Sequence, residues 1–133
     1  MKTEVQVAFN EMLDISKDID KAVLFAPNDV LASNMDPVSV AGAVARASEL
    51  ASLGATRANE MGSQPMTQMV IETAAGFVFL ARETEDGGMT ILATGKKASR
   101  VGLVLYDLKT CLRDAREALT AAKNEDDVKE ESK

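Results

Sequence analysis

Met66-Thr67-Gln68-Met69-Val70-Ile71-Glu72-Thr73-Ala74-Ala75-Gly76-Phe77-Val78-Phe79-Leu80-Ala81 is the stretch on which the fold turns. Thr67, Met69, Ile71 and Thr73 alternate with Met66, Gln68, Val70 and Glu72. A period of two is that of a strand with unlike faces. Ala74-Ala75-Gly76 reads as a turn. Phe77 to Ala81 is then continuously apolar, which predicts a central strand covered on both sides. Two strands joined so closely run antiparallel.

Working outward toward the C-terminus, Glu85-Asp86-Gly87-Gly88 is hairpin-turn chemistry, and Met89 to Ala93 forms a fifth strand. Lys96, Lys97 and Arg100 occupy a connection. Val101, Leu105, Leu108, Leu112, Ala115, Leu119 and Ala122 follow in alternating steps of four and three. That spacing keeps one side of a helix apolar and predicts a helix over Ser99–Lys123. Residues 124–133 are almost wholly charged and are expected to form a disordered tail. The domain itself is placed at residues 1–123.

Working outward toward the N-terminus, Pro65 and Gly62 end a helix that starts at Asp36-Pro37. Aspartate caps free N–H groups, and proline suits the first helical position. Between them Val40, Val44, Ala47, Ala51, Gly54, Ala58 and Met61 form a second stripe, mostly of small residues. Small side chains waste apolar area inside a core helix unless another backbone comes close. Two readings are open: the helix packs tightly on its own sheet, or on the same helix of a second copy. Ala22-Val23-Leu24-Phe25 and Val30-Leu31-Ala32-Ser33 flank the turn residues Pro27-Asn28-Asp29, which predicts two more strands. Val5, Ala8, Phe9, Met12 and Leu13 make a first amphipathic helix over Lys2–Ser16.

The expected order is therefore α-β-β-α-β-β-β-α. It describes an α/β (α+β) domain with a five-stranded antiparallel sheet between helices. A chain of 133 residues accommodates one such core. Apolar residues make up 46% but aromatics only 4%, so Ala, Val, Leu, Ile and Met must build it.

Composition also narrows function. The net charge is −6, and an acidic chain gains little from a phosphate backbone. Nucleic acid and anionic membrane are poor partners for it. No run approaches the length of a spanning helix, and the N-terminus lacks the apolar core of a signal peptide. A cytoplasmic location is expected. The chain has no histidine, which removes the commonest general base and a common zinc ligand. Cys111 lies among Leu108, Leu112 and Ala115, where it reads as an apolar filler. Glu83, Glu85 and Asp86 form a solvated hairpin tip rather than an acid–base pair. Gly87-Gly88 and Gly95-Lys96-Lys97 do not keep the spacing of a phosphate loop, and Ala98 follows the lysines. No catalytic residue, cofactor or metal is expected. The strand Met66–Thr73 carries no proline or lysine to discourage pairing, so at a sheet edge it would be a template for another strand.

The pattern resembles the Roadblock family, the superfamily of dynein light chains and small-GTPase regulators. The resemblance covers about Val5 to Ala122. It rests on Ala58-Asn59-Glu60-Met61-Gly62, Met69-Val70-Ile71-Glu72, Gly76-Phe77-Val78-Phe79-Leu80, Met89-Thr90-Ile91-Leu92-Ala93 and Val101-Gly102-Leu103-Val104. It implies that the first and last helices share one face of the sheet and the middle helix covers the other. It also implies a homodimer in which third strands join into one ten-stranded sheet and middle helices pack side by side. Carried over, the dimer interface is Thr67, Met69, Ile71 and Thr73 on strand 66–73, with Ala47, Leu50, Ala51, Gly54 and Ala58 on helix 37–61. Members of the family scaffold or regulate small Ras-like GTPases, or serve as dynein light chains. A bacterial cell-polarity member stimulates GTP hydrolysis without an arginine finger. The leading expectation is a homodimeric, non-catalytic scaffold or regulator that binds a small Ras-like GTPase. The alternatives are a structural adaptor without GTPase contact, and a small-molecule sensor that uses the sheet as a pocket floor.

Overall fold

In the computed structural model the backbone is described for residues 2–131 and side chains for residues 4–124. Val5, Phe9 and Met12 fall on one side of α1 (Lys2–Ile15) and are buried. The chain turns at Ser16 into β1 (Ile19–Ala26) and folds back as β2 (Asp29–Ser33). After α2 (Pro37–Glu60) come β3 (Gln68–Glu72), β4 (Gly76–Arg82) and β5 (Thr90–Lys96), then α3 (Val101–Glu131). All four strand pairings are antiparallel, and the spatial order is β2-β1-β5-β4-β3. The expected fold class and element order are those observed.

The sheet separates two apolar layers. On one face Ala22, Leu24, Phe79, Ala81, Ile91 and Ala93 meet α1 and α3 through Val5, Phe9, Val104, Leu108 and Ala115. On the other face Val23, Phe25, Leu80 and Leu92 meet Ala47 and Ala51 of α2. The alternation of β1 and β4 divides each strand between both layers, which is why each reads as an unbroken apolar run.

Helix ends follow their chemistry, with one correction. Pro37 opens α2 as expected, but the Asp36 side chain makes no capping bond. Instead its main-chain carbonyl accepts from the Ser39 N–H at 2.8 Å, a tight first turn. At the other end Gly62 has φ +75°. Its N–H bonds the Asn59 carbonyl, and the Ser63 N–H bonds that of Ala58. This is a Schellman closure, which needs a left-handed residue such as glycine.

Three boundaries differ from expectation. Regular β3 is five residues, Gln68–Glu72, rather than the whole of 66–73. β5 begins at Thr90 and continues through Gly95 to Lys96. α3 was expected to end at Lys123 and runs to Glu131. No glycine or proline follows Gly102 in the chain, so nothing local stops that helix, and its backbone continues into the segment expected as a disordered tail. Residues 132 and 133 lie outside the described residues.

Candidate functional site

β3 is a sheet edge, with β4 on one side and no strand on the other among the described residues. Which of its main-chain groups are free follows from the ladder. Thr73 and Gly76 exchange both N–H···O bonds, at 2.7 and 3.3 Å. The Arg82 N–H donates to the Thr67 carbonyl at 3.0 Å. Antiparallel neighbours alternate between bonded and non-bonded pairs. Thr67, Met69, Ile71 and Thr73 therefore direct their main chain at β4. Gln68, Val70 and Glu72 direct theirs out of the sheet.

This redraws the residues expected from sequence. Thr67, Met69, Ile71 and Thr73 lie at the edge, but their backbone groups are committed to β4. Met69 also turns its side chain onto the α2 layer with Met66. Ala47 and Ala51 are buried in the core against the sheet. Gly54 is half-buried, and a Cβ there would meet Met66 Sδ and Met69 Cε, each at 2.5 Å. The small-residue stripe thus serves close packing of α2 on its own sheet. Leu50 is half-buried against the same layer, and Ala58 is half-buried. What α2 leaves open beside them is Leu53, 53% exposed, one turn from Leu50 and Arg57. Gln68, Val70 and Glu72 lie within the expected joining strand 66–73, and Leu53 on helix 37–61, but none of them was among the interface residues singled out from sequence. The strand register that singles out the first three needs the partner strand's position, which no single segment contains.

The rest of the surface carries little chemistry. Burial, and then the nearby Asp114 carboxylate, push the Cys111 thiol up to about 12, so it is not a nucleophile near neutral pH. No group of three His, Cys, Asp or Glu among the described residues could hold a metal ion. Gly87 (φ +75°) sits in the hairpin turn, while Gly95 lies within β5 against the Phe79 ring and Ser99 Oγ. Neither belongs to a phosphate loop. Burial tends to raise the Glu83 carboxyl, but two bonds from Arg116 and one from the Met89 N–H outweigh it and hold the group below its usual value. Asp18 accepts from the Arg100 N–H at 2.9 Å and its Nε at 3.2 Å, and those bonds lower its pKa. These two acids tie the hairpin and the start of β1 to α3, so both have structural work. An open cleft of about 560 Å³ lies between α2 and the two hairpin tips, lined by Pro27, Ser52, Thr56, Asn59 and Glu85 among others. The sheet reaches this cleft through Phe25, Arg82 and Thr90; helices pack on both of its faces elsewhere.

The family model of the Roadblock/LC7 domain matches residues 16–93, more than half of the chain. The chain belongs to the Roadblock/LC7 family. Among solved structures this Roadblock/LC7 chain is similar to the Roadblock/LC7 domain from Streptomyces avermitilis, with a TM-score of 0.76 and 19% identity over 86% of this chain and 97% of that one. It is similar to Myxococcus xanthus MglB, with a TM-score of 0.70 and 13% identity over 90% of each chain. It is also similar to an MglB with a tetrameric arrangement, with a TM-score of 0.68 and 16% identity over 87% and 90%. At such identities the likeness is one of fold. No curated protein matches the sequence. No helix among the described residues is long and apolar enough to cross a membrane.

Proposed function

We propose that this Roadblock/LC7 chain is a homodimeric, non-catalytic regulator or scaffold that binds a small Ras-like GTPase in the cytoplasm. The observation that carries the pairing is the open edge of β3, where Gln68, Val70 and Glu72 aim N–H and C=O groups outward. With Val70 on a two-fold axis, Gln68 of each copy faces Glu72 of the other. About six main-chain hydrogen bonds then join the sheets. The tetrameric arrangement of the related MglB supports assembly as a property of the fold. The GTPase rests on the family and on the likeness to MglB.

The test has two parts. Light scattering at micromolar concentration should return twice the chain mass, and a monomer would overturn the pairing. GTP hydrolysis and nucleotide exchange by small GTPases from the same organism should change when the chain is added. If none changes and none binds, the GTPase reading fails; a retained dimer then favours the structural adaptor.

A further inference from the structure

The α3 side of β3 carries opposite charges that do not meet within one chain. Gln68 stands beside Ala81 and Glu72 beside Phe77, and both β4 residues belong to the layer under α1 and α3. Opposed residues of a ladder point the same way, so the Gln68 and Glu72 side chains emerge on the α3 side. Glu72 is exposed, and its carboxylate has no hydrogen bond or ion pair among the described residues. At the other end of the strand an open cavity of about 320 Å³ lies between Thr67, Arg82, Glu83 and the α3 residues Lys109, Leu112 and Arg113. Its one acid, Glu83, is already held by Arg116 and the Met89 N–H. Arg82 donates through Nε to the Met66 carbonyl at 2.9 Å. Arg113 reaches the flanking Asp114 at 3.4 Å, with its side chain 64% exposed. Lys109 is exposed and has no partner among the described residues. The cavity is therefore locally positive, in a chain whose net charge is −6. The chain's own Glu72 lies about 16 Å along the extended strand from Thr67 and does not reach it.

We infer that this cavity receives the Glu72 carboxylate of a second copy, held by Lys109 and Arg113, and that the contact sets the register of the joined sheet. The inference rests on the β3 pairing proposed above. With Val70 on the two-fold axis, Glu72 of one copy lies beside Gln68 of the other, one strand spacing of about 4.8 Å further out. Its side chain rises on the α3 side, next to Thr67 and under the flank of α3 that carries Lys109 and Arg113. Symmetry repeats the contact, so each dimer has two. The outward row of Gln68, Val70 and Glu72 by itself also permits a slide of two residues, which would put Glu72 beside Val70 and away from the basic flank. Complementary charge penalises that slide, and it steers the encounter of two copies that are both acidic.

The test exchanges the charges and mixes the products. Glu72→Lys, and separately Lys109→Glu combined with Arg113→Glu, should each dimerise about tenfold or more weakly than wild type by sedimentation, because both contacts of each homodimer then oppose like charges. All three residues are exposed, so the circular dichroism of each variant should stay that of the folded chain; Lys109→Glu alone repeats the test if the double replacement unfolds it. Mixed one to one, the two variants should pair with each other at close to wild-type affinity, read by native mass spectrometry. In that mixed dimer one contact is native and the other is the same pair with its charges exchanged. Dimerisation of both variants as tight as wild type would overturn the inference and leave the β3 pairing standing. So would weakened variants that do not recover on mixing, since the charges would then act within one chain. A monomeric wild type would overturn the pairing and this contact with it.

Discussion

Val70→Pro is expected to break the dimer while leaving each chain folded. The N–H of Val70 points away from β4, so proline removes no bond from the ladder within one chain. Proline is tolerated on an edge strand in that orientation. It also restricts Met69 to extended backbone, which Met69 already adopts in β3. The Val70 side chain is 37% exposed, so little core packing is lost. Across the proposed dyad the effect is different. Each copy loses one N–H···O bond and leaves the facing carbonyl unpaired, at about 1–3 kcal/mol. Taken over both copies, a total of roughly 2–6 kcal/mol would weaken dimerisation by about 30- to 20,000-fold. Sedimentation over a concentration series measures that shift. The control is Ile71→Pro, one residue along, whose N–H belongs to the β4 ladder. It should lower the melting temperature by several degrees, because a buried ladder bond is lost. Melting should be compared with wild type diluted below its own dissociation constant, since dimerisation itself stabilises the fold by mass action. The open-edge reasoning fails if Val70→Pro dimerises like wild type. The assigned alternation fails if both prolines unfold the chain equally.

Three further outcomes are expected. Gly54→Ala should be nearly neutral in chemical denaturation, because the Met66 and Met69 chain ends can move aside and alanine gains about 1 kcal/mol of helix propensity; Gly54→Leu should cost about 1–3 kcal/mol by lifting α2 from β3. Gly76→Ala should also cost at least about 1–3 kcal/mol in the same assay, since a Cβ there meets the rigid main-chain carbonyl of Gly95 rather than a flexible side chain. The folded-state pKa of Glu83 is lowered, so its contribution to stability is present above the ordinary value of 4.5 and disappears as pH falls through the folded value. Melting curves of Glu83→Gln should accordingly show a shallower loss below about pH 4.5 than wild type, with Asp18 still contributing in the same direction; an identical acid limb would count against the Arg116 pairing.

Element order was readable because each segment keeps one period throughout. The 4-3 stripes of α2 and α3 and the apolar run of β4 leave little choice. β5 was harder, since Gly95 reads locally as a break. Within the strand it serves a contact, leaving room for the Phe79 ring and Ser99, and only the folded chain reveals that use. The candidate site was half legible. The edge strand declared itself by lacking proline and lysine, but the choice between odd and even residues depends on β4. The stripe of Ala47, Ala51 and Gly54 suggested close approach and could not say of what; Met66, Met69 and the sheet supply the answer.

The two borders of the sheet are unlike. The pairing of β1 with β2 slips between Leu24 and Phe25, where β2 carries an extra residue, while β3 keeps an unbroken register with β4. An irregular border twists away and makes a poor template. A chain with two receptive borders can add copies head to tail without limit. A chain with one can only meet its own mirror role in a second copy, and that isologous contact consumes the receptive surface of both. If the chain pairs through β3 as proposed, the slip in β2 would act as a stop on growth: sheet extension would end at a closed pair, and a larger assembly would have to be made through helices rather than by lengthening the sheet into a filament.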